Sequence, residues 1–472
     1  MISDLILQAA AMEQHERLIM IRTAWDAYKG KLPASLKVQI GQPNDNVNLN
    51  FARTIVDDGV SFLFGDEVEF EAGDKTDEAS DDSSAPDPAD QWLKKFWEKN
   101  HKMTLLGDVA LNGGVCGHAF LRVRLPDESK GEKFPRLINL DPATVTPVWN
   151  PDDYQDVLFY VIQWNAIEPR TMRPMTRRQV IECAENGLTW SITDEASYGD
   201  SKVWVTLDEP EIWTFPWAPI FHCQNLPAPN EFWGQSDLES DVVDVLKSIN
   251  YNTSNIARIL RFHAHPKTWG YGFAQRDLKV DVDNTIVLPN KEARLQNLEM
   301  TSDLTSSIEF YKRLKEALHE IAQHPEIATG KLESAGPLSG VALNILYRPL
   351  LQKTAKKRRR YGDMLTDLNC KMLELAGFGD RDTQEIETHW PNLLPDDAKE
   401  EADTALVLEG LGVSKDTLLQ RLGFDPELEK EKKAKEVQDA ADVGAAMLKS
   451  FDKGQIPGQN SSVRTASDGG DE

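Results

Sequence analysis

Cysteine is scarce in this sequence of 472 residues, and the few that occur are widely separated. No two of them form a CxxC pair or show the spacing of a zinc ribbon. Proteins held together by disulfides or by a structural zinc ion normally carry such pairs. We therefore expect reduced thiols in a reducing compartment, at Cys116, Cys183, Cys223 and Cys370.

Long apolar runs are also absent from the sequence. No uninterrupted apolar stretch approaches the roughly 18 residues that a membrane-spanning helix needs. Residues 1–5 include an acid and lack the basic residues that precede the apolar core of a secretory signal. We expect a protein that is made and used in aqueous surroundings and has no membrane partner.

Basic residues are too few to balance the acidic ones. The chain has 52 Lys and Arg residues against 77 Asp and Glu residues, which gives a formal net charge of −25. A protein that holds DNA in a basic groove normally has the opposite sign. With 40% apolar and 27% charged residues, the composition is that of a soluble globular chain of roughly two to four domains.

The sequence motifs of common enzymes are missing or incomplete. Gly330 and Lys331 match part of a phosphate-binding loop, but Pro325 and Leu332 stand where that loop needs a glycine and a Ser or Thr. No GxSxG motif is present. We therefore expect no catalytic residues, no metal site and no cofactor. The 77 acidic residues still leave a carboxylate-dependent hydrolase open, because any pair among so many is uninformative.

The first half of the chain, residues 1 to about 232, predicts an α+β unit. Apolar spacing predicts a helix that is capped by Asn46 or Asn48 and ends just before a glycine. Residues 91–112 have the same helical periodicity, and the acidic segment 71–90 before them predicts a solvated loop. Strand-like runs follow at Ala119–Val123, Val157–Trp164, Leu188–Thr193, Val203–Leu207 and Glu211–Phe215.

Two long amphipathic helices are predicted next, over residues 234–264 and 302–323. The first begins with the capping-box residues Ser236 and Glu239. Its polar face is acidic and includes Asp237. The two helices form a hairpin in this interpretation, with a small strand-rich knob at the tip.

The knob contains aromatic residues at alternate positions, Trp269, Tyr271 and Phe273. Alternate residues of a strand share a face, so we expect these three side chains to point the same way. They are either anchors for a partner protein or the small core of the knob, and the sequence leaves both interpretations open.

A third long helix is predicted over residues 341–375, after a polar segment at 326–340. Pro349 lies inside this helix, so we expect a kink there. The helix also carries the one dense basic run of the sequence, which could face DNA or a neighbouring subunit, or could pair with carboxylates of the protein itself. This run contains Lys353, Lys356, Lys357, Arg358, Arg359 and Arg360.

The order of these parts resembles the portal proteins of tailed bacteriophages, in particular the SPP1-type portal family. Three segments carry the resemblance around the long hairpin, and a fourth follows them. They are NLNFARTIVDDGVSFLFGDEVEF at 48–70, WGQSDLESDVVDVLKSIN at 233–250, SGVALNILYRPLLQKT at 339–354 and LGVSKDTLLQRLGFDPELEKE at 411–431. The similarity covers about residues 40–435.

The resemblance implies a homo-oligomeric ring, typically of twelve subunits, at one vertex of a capsid. Such a ring is assembled in the cytoplasm of a bacterial host and becomes part of the virion. Double-stranded DNA would pass through its channel during packaging and ejection. The implied partners are the terminase large subunit, the head-tail adaptor, the major capsid protein and the scaffolding protein.

The resemblance also implies a portal-like division of the subunit. Its parts would be an α+β wing (1–232), a first stem helix (233–264), a clip (265–301), a second stem helix (302–324), a tunnel loop (325–340), a kinked helix returning to the wing (341–397), a helical crown (398–443) and a disordered tail (444–472). The tunnel loop would present Glu326, Gly330, Lys331, Glu333, Gly336 and Pro337. The aromatic residues of the knob would become clip contacts.

Two other classes of protein remain open at this point. A different ring-forming virion scaffold protein would also be acidic, helical and poor in motifs. A soluble hydrolase would instead be a monomer or dimer with a pocket of perturbed carboxylates. Negative-stain images that count the subunits and show a stem would separate the scaffold protein from a portal, and size-exclusion light scattering would identify the hydrolase.

Overall fold

A computed structural model divides the chain into two compact units, residues 1–393 and 394–472. The elements named below belong to the first unit, except for the last helix. The structure describes residues 14–38, 40–41, 43–72, 87–184, 187, 189–199, 203–264, 268–272, 292, 294–297, 304–326, 340–379, 386–394, 406–410, 412–421, 429–430, 432–433 and 435.

The described part of the first unit contains seven α-helices. They are α1 (His15–Tyr28), α2 (Phe51–Phe64), α3 (Pro88–Lys99), α4 (Lys102–Cys116), α5 (Ser240–Ala264), α6 (Thr305–Ile321) and α7 (Gly340–Leu375). The second unit contributes α8 (Lys415–Arg421). None of the helices that the structure describes combines the length and apolar composition needed to cross a membrane.

The strands form antiparallel sheets. They are β1 (Glu69–Ala72), β2 (His118–Arg124), β3 (Arg136–Leu140), β4 (Val145–Asn150), β5 (Asp153–Ile167), β6 (Pro174–Cys183), β7 (Trp190–Tyr198), β8 (Val205–Thr206), β9 (Glu211–Trp213), β10 (Ile220–Gln224), β11 (Thr268–Tyr271), β12 (Arg294–Asn297) and β13 (Ile386–His389). The largest sheet has the order β4-β5-β6-β7-β8, with β9 also paired to β7. The smaller sheets are β10-β2-β3, β1-β13 and β11-β12.

This mixture of helices and antiparallel sheets confirms the α+β class. The sequence pattern does not predict β1, β3, β4, β6, β10 or β13. In β6 the reason is the charged run around Arg177 and Arg178. Arg178 lies 2.6 Å from Glu195 of the neighbouring strand, and this cross-strand ion pair lets a charged residue occupy a sheet position.

The start of α2 differs from the prediction. Asn50 is the N-cap, because its side-chain oxygen accepts a hydrogen bond from the backbone N–H of Arg53 at 3.2 Å. Asn46 and Asn48 instead bind the chain before the helix, and Asn46 accepts from the N–H of Leu36 at 2.7 Å. The predicted stop is confirmed, since α2 ends one residue before Gly65.

The helices α5 and α6 form an antiparallel hairpin. The apolar residues Leu246 near the start of α5 and Leu318 near the end of α6 belong to one buried cluster. Further along, the side-chain amide of Asn252 donates to the carbonyl of Ser307 at 3.0 Å. Half of the predicted capping box is present before α5, where Glu239 accepts from the backbone N–H of Ser236 at 2.7 Å, whereas the Ser236 hydroxyl accepts from the N–H of Leu238 at 2.9 Å. The helix itself begins one residue later than this glutamate.

Two histidines, one from β2 and one from β10, face each other among aromatic side chains of the first unit. His118 Nε2 and His222 Nδ1 are 3.2 Å apart, and their rings stack at 5.3 Å. Phe232 stacks on the ring of His118 and lies tilted against the ring of His222. Burial lowers the pKa of His222 to about 4, and burial together with the charges of His222 and Arg17 lowers the pKa of His118 as well. Both rings are therefore neutral at pH 7.

This pair predicts a loss of stability in mild acid. The unfolded chain takes up protons on histidine near pH 6.5, whereas the folded chain resists them down to about pH 4. The contribution of the neutral histidine pair to the free energy of unfolding is therefore complete above pH 6.5. It is lost as the pH drops from 6.5 towards 4. We expect a loss of about 1–2 kcal/mol by pH 5 in urea unfolding, because one edge of His222 remains accessible. His222→Phe should reduce the pH dependence in this range, because only His118 would still contribute, whereas replacing the exposed His15 by Gln is the surface control.

Candidate functional site: a buried charged cluster between α5, α6 and α7

The inward face of α7 carries two lysines among apolar side chains. Leu350 and Tyr361 are buried on this face, and Lys353 and Lys357 lie between them at a spacing of one helical turn. The lysine side chains are only 9% and 3% exposed. Two ammonium groups in such a place need an acidic partner from elsewhere in the chain.

Asp237 provides this partner. Its side chain is 1% exposed, and its two oxygens lie 3.0 Å from Lys353 Nζ and 2.5 Å from Lys357 Nζ. The backbone N–H of Asp237 donates to the carbonyl of Gly114 at 2.8 Å, which holds the residue against the end of α4. We call Asp237, Lys353 and Lys357 the Asp237 cluster.

Glycines on two neighbouring helices leave room for the Asp237 cluster. A Cβ atom on Gly114 of α4 would lie 3.0 Å from Asp237 Oδ2. A Cβ atom on Gly59 of α2 would lie 3.4 Å from Lys357 Nζ. The packing of α2 and α4 against α7 is therefore close enough to exclude water from the ion pairs.

The electrostatics of the cluster favour its charged form. Burial by itself would raise the pKa of Asp237, but the two ammonium groups outweigh it and lower the pKa to about 2. Burial lowers the pKa of Lys357, and the carboxylate of Asp237 opposes that shift. One carboxylate thus serves two lysines, which makes it the member whose loss would cost the most.

Lys353 also ties the end of α6 to α7. Its Nζ donates to the carbonyl of Ala322 at 2.9 Å, one of the carbonyls that a helix end leaves without a partner. The chain leaves α6 at this point and next enters α7 at Gly340. The end of α6 is therefore tied to the middle of α7 through the same buried group.

A second set of contacts holds the chain just after α6. His324 Nε2 lies 2.7 Å from Asp58 Oδ2 of α2, and the carbonyl of His324 lies 2.7 Å from His319 Nδ1. Glu326 forms an ion pair with Lys315. Residues 322–326 are consequently attached to the body of the unit by side chains from two helices.

The predicted tunnel-loop residues lie largely outside the described part of the chain. Glu326 is described and occupies the position given above. The other members, Gly330, Lys331, Glu333, Gly336 and Pro337, lie outside the described residues. The assignment of this segment to a channel remains a prediction.

The predicted clip residues are partly described. Trp269 and Tyr271 lie on β11, which pairs with β12, and their rings stack at 6.2 Å on one face of the strand. Both side chains are about half exposed. Phe273 lies outside the described residues. Whether the pair contacts a partner or forms a small core remains a prediction.

The six basic residues of α7 do not form one surface, and Lys353 and Lys357 pair with a carboxylate of the protein itself, which is one of the alternatives that the sequence left open. These two are buried in the Asp237 cluster and cannot reach DNA. Arg358 donates to the carbonyl of Pro391 at 2.8 Å and lies over Trp390. The remaining three divide between exposed and half-buried positions: Lys356 and Arg359 are exposed, and Arg360 is half-buried.

Sequence reasoning also misplaced Asp237, which it put on the exposed acidic face of α5. The residue instead precedes the helix and points inward, because Ser236 and Asp237 both bond to the end of α4. The predicted kink position, Pro349, lies within α7 as expected. The kink itself remains a prediction.

The Asp237 cluster is built to hold helices together rather than to react. Its charged atoms are inaccessible, so no substrate can reach them. Within the described residues, no group of three or more His, Cys, Asp or Glu side chains could hold a metal ion. The arrangement fixes the start of α5 and the end of α6 against the middle of α7.

Comparisons with known proteins give a family and a number of similar solved structures. The model of the family described as phage portal protein, SPP1 Gp6-like, matches residues 11–442. No curated protein matches the chain. One similar solved chain belongs to the virion of a native gene transfer agent particle, with 12% identity, a TM-score of 0.49, and coverage of 86% of this chain and 99% of that chain. Another belongs to the neck of a native gene transfer agent particle computed with C12 symmetry, with 12% identity, a TM-score of 0.47, and coverage of 79% and 90%.

Proposed function

The chain belongs to the SPP1 Gp6-like family of phage portal proteins, and from this premise we propose that it forms a closed ring, typically of twelve subunits, at one vertex of a capsid. Double-stranded DNA would pass through the ring during packaging and ejection. The family match over residues 11–442 is the observation that carries the proposal. The family is a structural one, so we assign the chain no catalytic role.

The negative net charge of the chain supports a role as a channel for DNA. With a net charge of −25 per subunit, a ring would carry a large negative charge and repel the phosphates of passing DNA. A wall that repels DNA lets it slide, whereas a basic wall would hold it. Lys353 and Lys357 also fit this role, because the fold removes their positive charge from any surface.

The hairpin of α5 and α6 supports the stem of such a ring. Apolar side chains such as Tyr251 of α5 and Phe310 of α6 are exposed in the single subunit. Exposed apolar patches on a long hairpin favour association with further copies. In this proposal β11 and β12 belong to the clip, and residues 1–232 belong to the wing.

The stretch between α6 and α7 is assigned to the tunnel loop in this proposal. The chain just before this stretch is anchored by Lys353 at Ala322 and by the contact between His324 and Asp58, which suits a loop that must stay in place while DNA passes. The clip would dock the terminase large subunit during packaging and the head-tail adaptor afterwards. The major capsid protein and the scaffolding protein would surround the ring in the virion, after assembly in the bacterial cytoplasm.

The proposal predicts closed rings with a central channel. Mass photometry of the purified chain should give a species with about twelve times the 53.1 kDa mass of one subunit. Negative-stain images should show a stem and an axial hole. Particles assembled without this chain should contain no packaged DNA, which distinguishes a portal from another ring-forming scaffold. Monomers and dimers alone, even with scaffolding protein present, would contradict the proposal.

A further inference from the structure

The first part of α7 exposes an apolar face. Ile345 is 67% exposed and Leu346 is 41% exposed, and Pro349 on the next turn is also exposed. The exposed basic residue Arg348 lies beside them. From Leu350 onward the inward face of the same helix is buried. A helix that changes in this way from buried to exposed apolar residues indicates a surface that another molecule covers.

A groove of complementary character lies between α1 and α5. It has a volume of about 420 Å³, and its α1 wall carries Ile19 and Met20, which are 53% and 57% exposed. Its α5 wall carries Val243 and Asp244. We call this feature the α1–α5 groove.

The acidic side chains Glu231, Glu239 and Asp244 line the α1–α5 groove. Lys247 also lines it and forms an ion pair with Asp244 at 2.8 Å, but the carboxylate of Asp244 is 70% exposed and can accept a second basic partner. Arg17 also lines the groove, but it points inward, where it donates to the carbonyl of Pro142 and lies 3.2 Å from the ring centre of Trp233. A DNA strand would be repelled here, whereas an apolar helix with a basic residue would be attracted.

We propose that the first part of α7 from one subunit docks in the α1–α5 groove of the neighbouring subunit. Ile345 and Leu346 would cover Ile19 and Met20, and Arg348 would pair with Asp244. This is the helix-in-groove mode of recognition, with apolar anchors and a charged residue at the rim. The inference rests on the proposed ring and names the surfaces that join its subunits.

A second copy fits the groove better than the same chain does. The residues that line the groove come from α1, the end of α4, the segment 231–238 and α5. The first part of α7 instead lies against α2, where Tyr347 stacks on Phe62 at 5.9 Å. Two different surfaces on each subunit make a head-to-tail contact, and a repeated head-to-tail contact closes into a ring when the rotation permits.

The test reverses the charges and then mixes the variants. Asp244→Lys and Arg348→Glu should each reduce the fraction of chain in rings at least about tenfold in mass photometry, because like charges would then meet at every interface. An equimolar mixture of the two should restore rings, since alternating subunits place opposite charges at each contact. The double variant D244K/R348E should restore them as well. Glu209→Lys, at an exposed position between β8 and β9, is the matched control and should assemble normally.

The outcomes separate this inference from the proposed function. Rings of unchanged yield in both single variants would overturn the docking contact and leave the ring intact. Loss of rings that neither the mixture nor the double variant restores, in variants with unchanged circular dichroism, would show that the two residues do not face each other. Absence of rings in the unaltered chain would contradict the proposed function instead.

Discussion

Replacing Asp237 by asparagine is expected to lower the free energy of unfolding by about 3–5 kcal/mol. The amide keeps the shape of the side chain but removes its charge. Lys353 and Lys357 would then remain buried without a carboxylate, and a buried charge without a partner is costly. The measurement is urea unfolding at pH 7, followed by tryptophan fluorescence at a concentration where the chain is monomeric, because assembly would add to the apparent stability.

Two controls define this prediction for Asp237. Asp244→Asn removes a carboxylate that is 70% exposed and bonded only to Lys247 at the surface, so we expect a change below about 0.5 kcal/mol. Lys357→Met leaves Asp237 paired with Lys353, so its loss should be smaller than that of the asparagine variant. Equal effects of the asparagine substitutions at 237 and 244 would show that the Asp237 cluster does not anchor the helices.

Replacing Gly113 by alanine is expected to cost at least about 2 kcal/mol, although alanine favours helices. A Cβ atom at this position of α4 would lie 1.8 Å from the hydroxyl oxygen of Tyr361. The tyrosine is fully buried on α7, so it cannot turn away without disturbing the packing around it. Thermal unfolding of the variant should show the loss directly.

The clash of the Gly113→Ala variant can be removed by a second substitution, at Tyr361 of α7. Tyr361→Phe removes the hydroxyl and its long 3.4 Å contact with Asn225, for a loss of about 1 kcal/mol. In that background Gly113→Ala should cost much less, so the double-mutant cycle should give a clear coupling energy. Gly107→Ala in the same helix is the control, because its Cβ atom would meet nothing within 4 Å. Independent effects at 113 and 361 would contradict the predicted clash.

The partners of the Asp237 cluster lie in regions that the sequence identifies, but the sequence does not bring them together. Asp237 precedes a run of acidic residues, which favours an exposed acidic face. Lys353 and Lys357 belong to a basic run, which favours a surface. The sequence does indicate that the two lysines are buried, because both share the helical face of Leu350 and Tyr361. A lysine on an apolar face needs a buried acid, but nothing local says which of 77 acids it is.

The α+β class, the long helices, the contact between Glu239 and Ser236 before α5 and the family can be predicted from the sequence alone. Helix positions and caps depend on residues within about four positions of each other, so a linear pattern contains them. The contact of Asp237 with Lys357, 120 residues away, and the exposure of the start of α7 appear only once the helices pack together. A buried charge is stable only where an opposite charge comes within bonding distance. That distance is set by the packing of several helices, which no short-range pattern encodes.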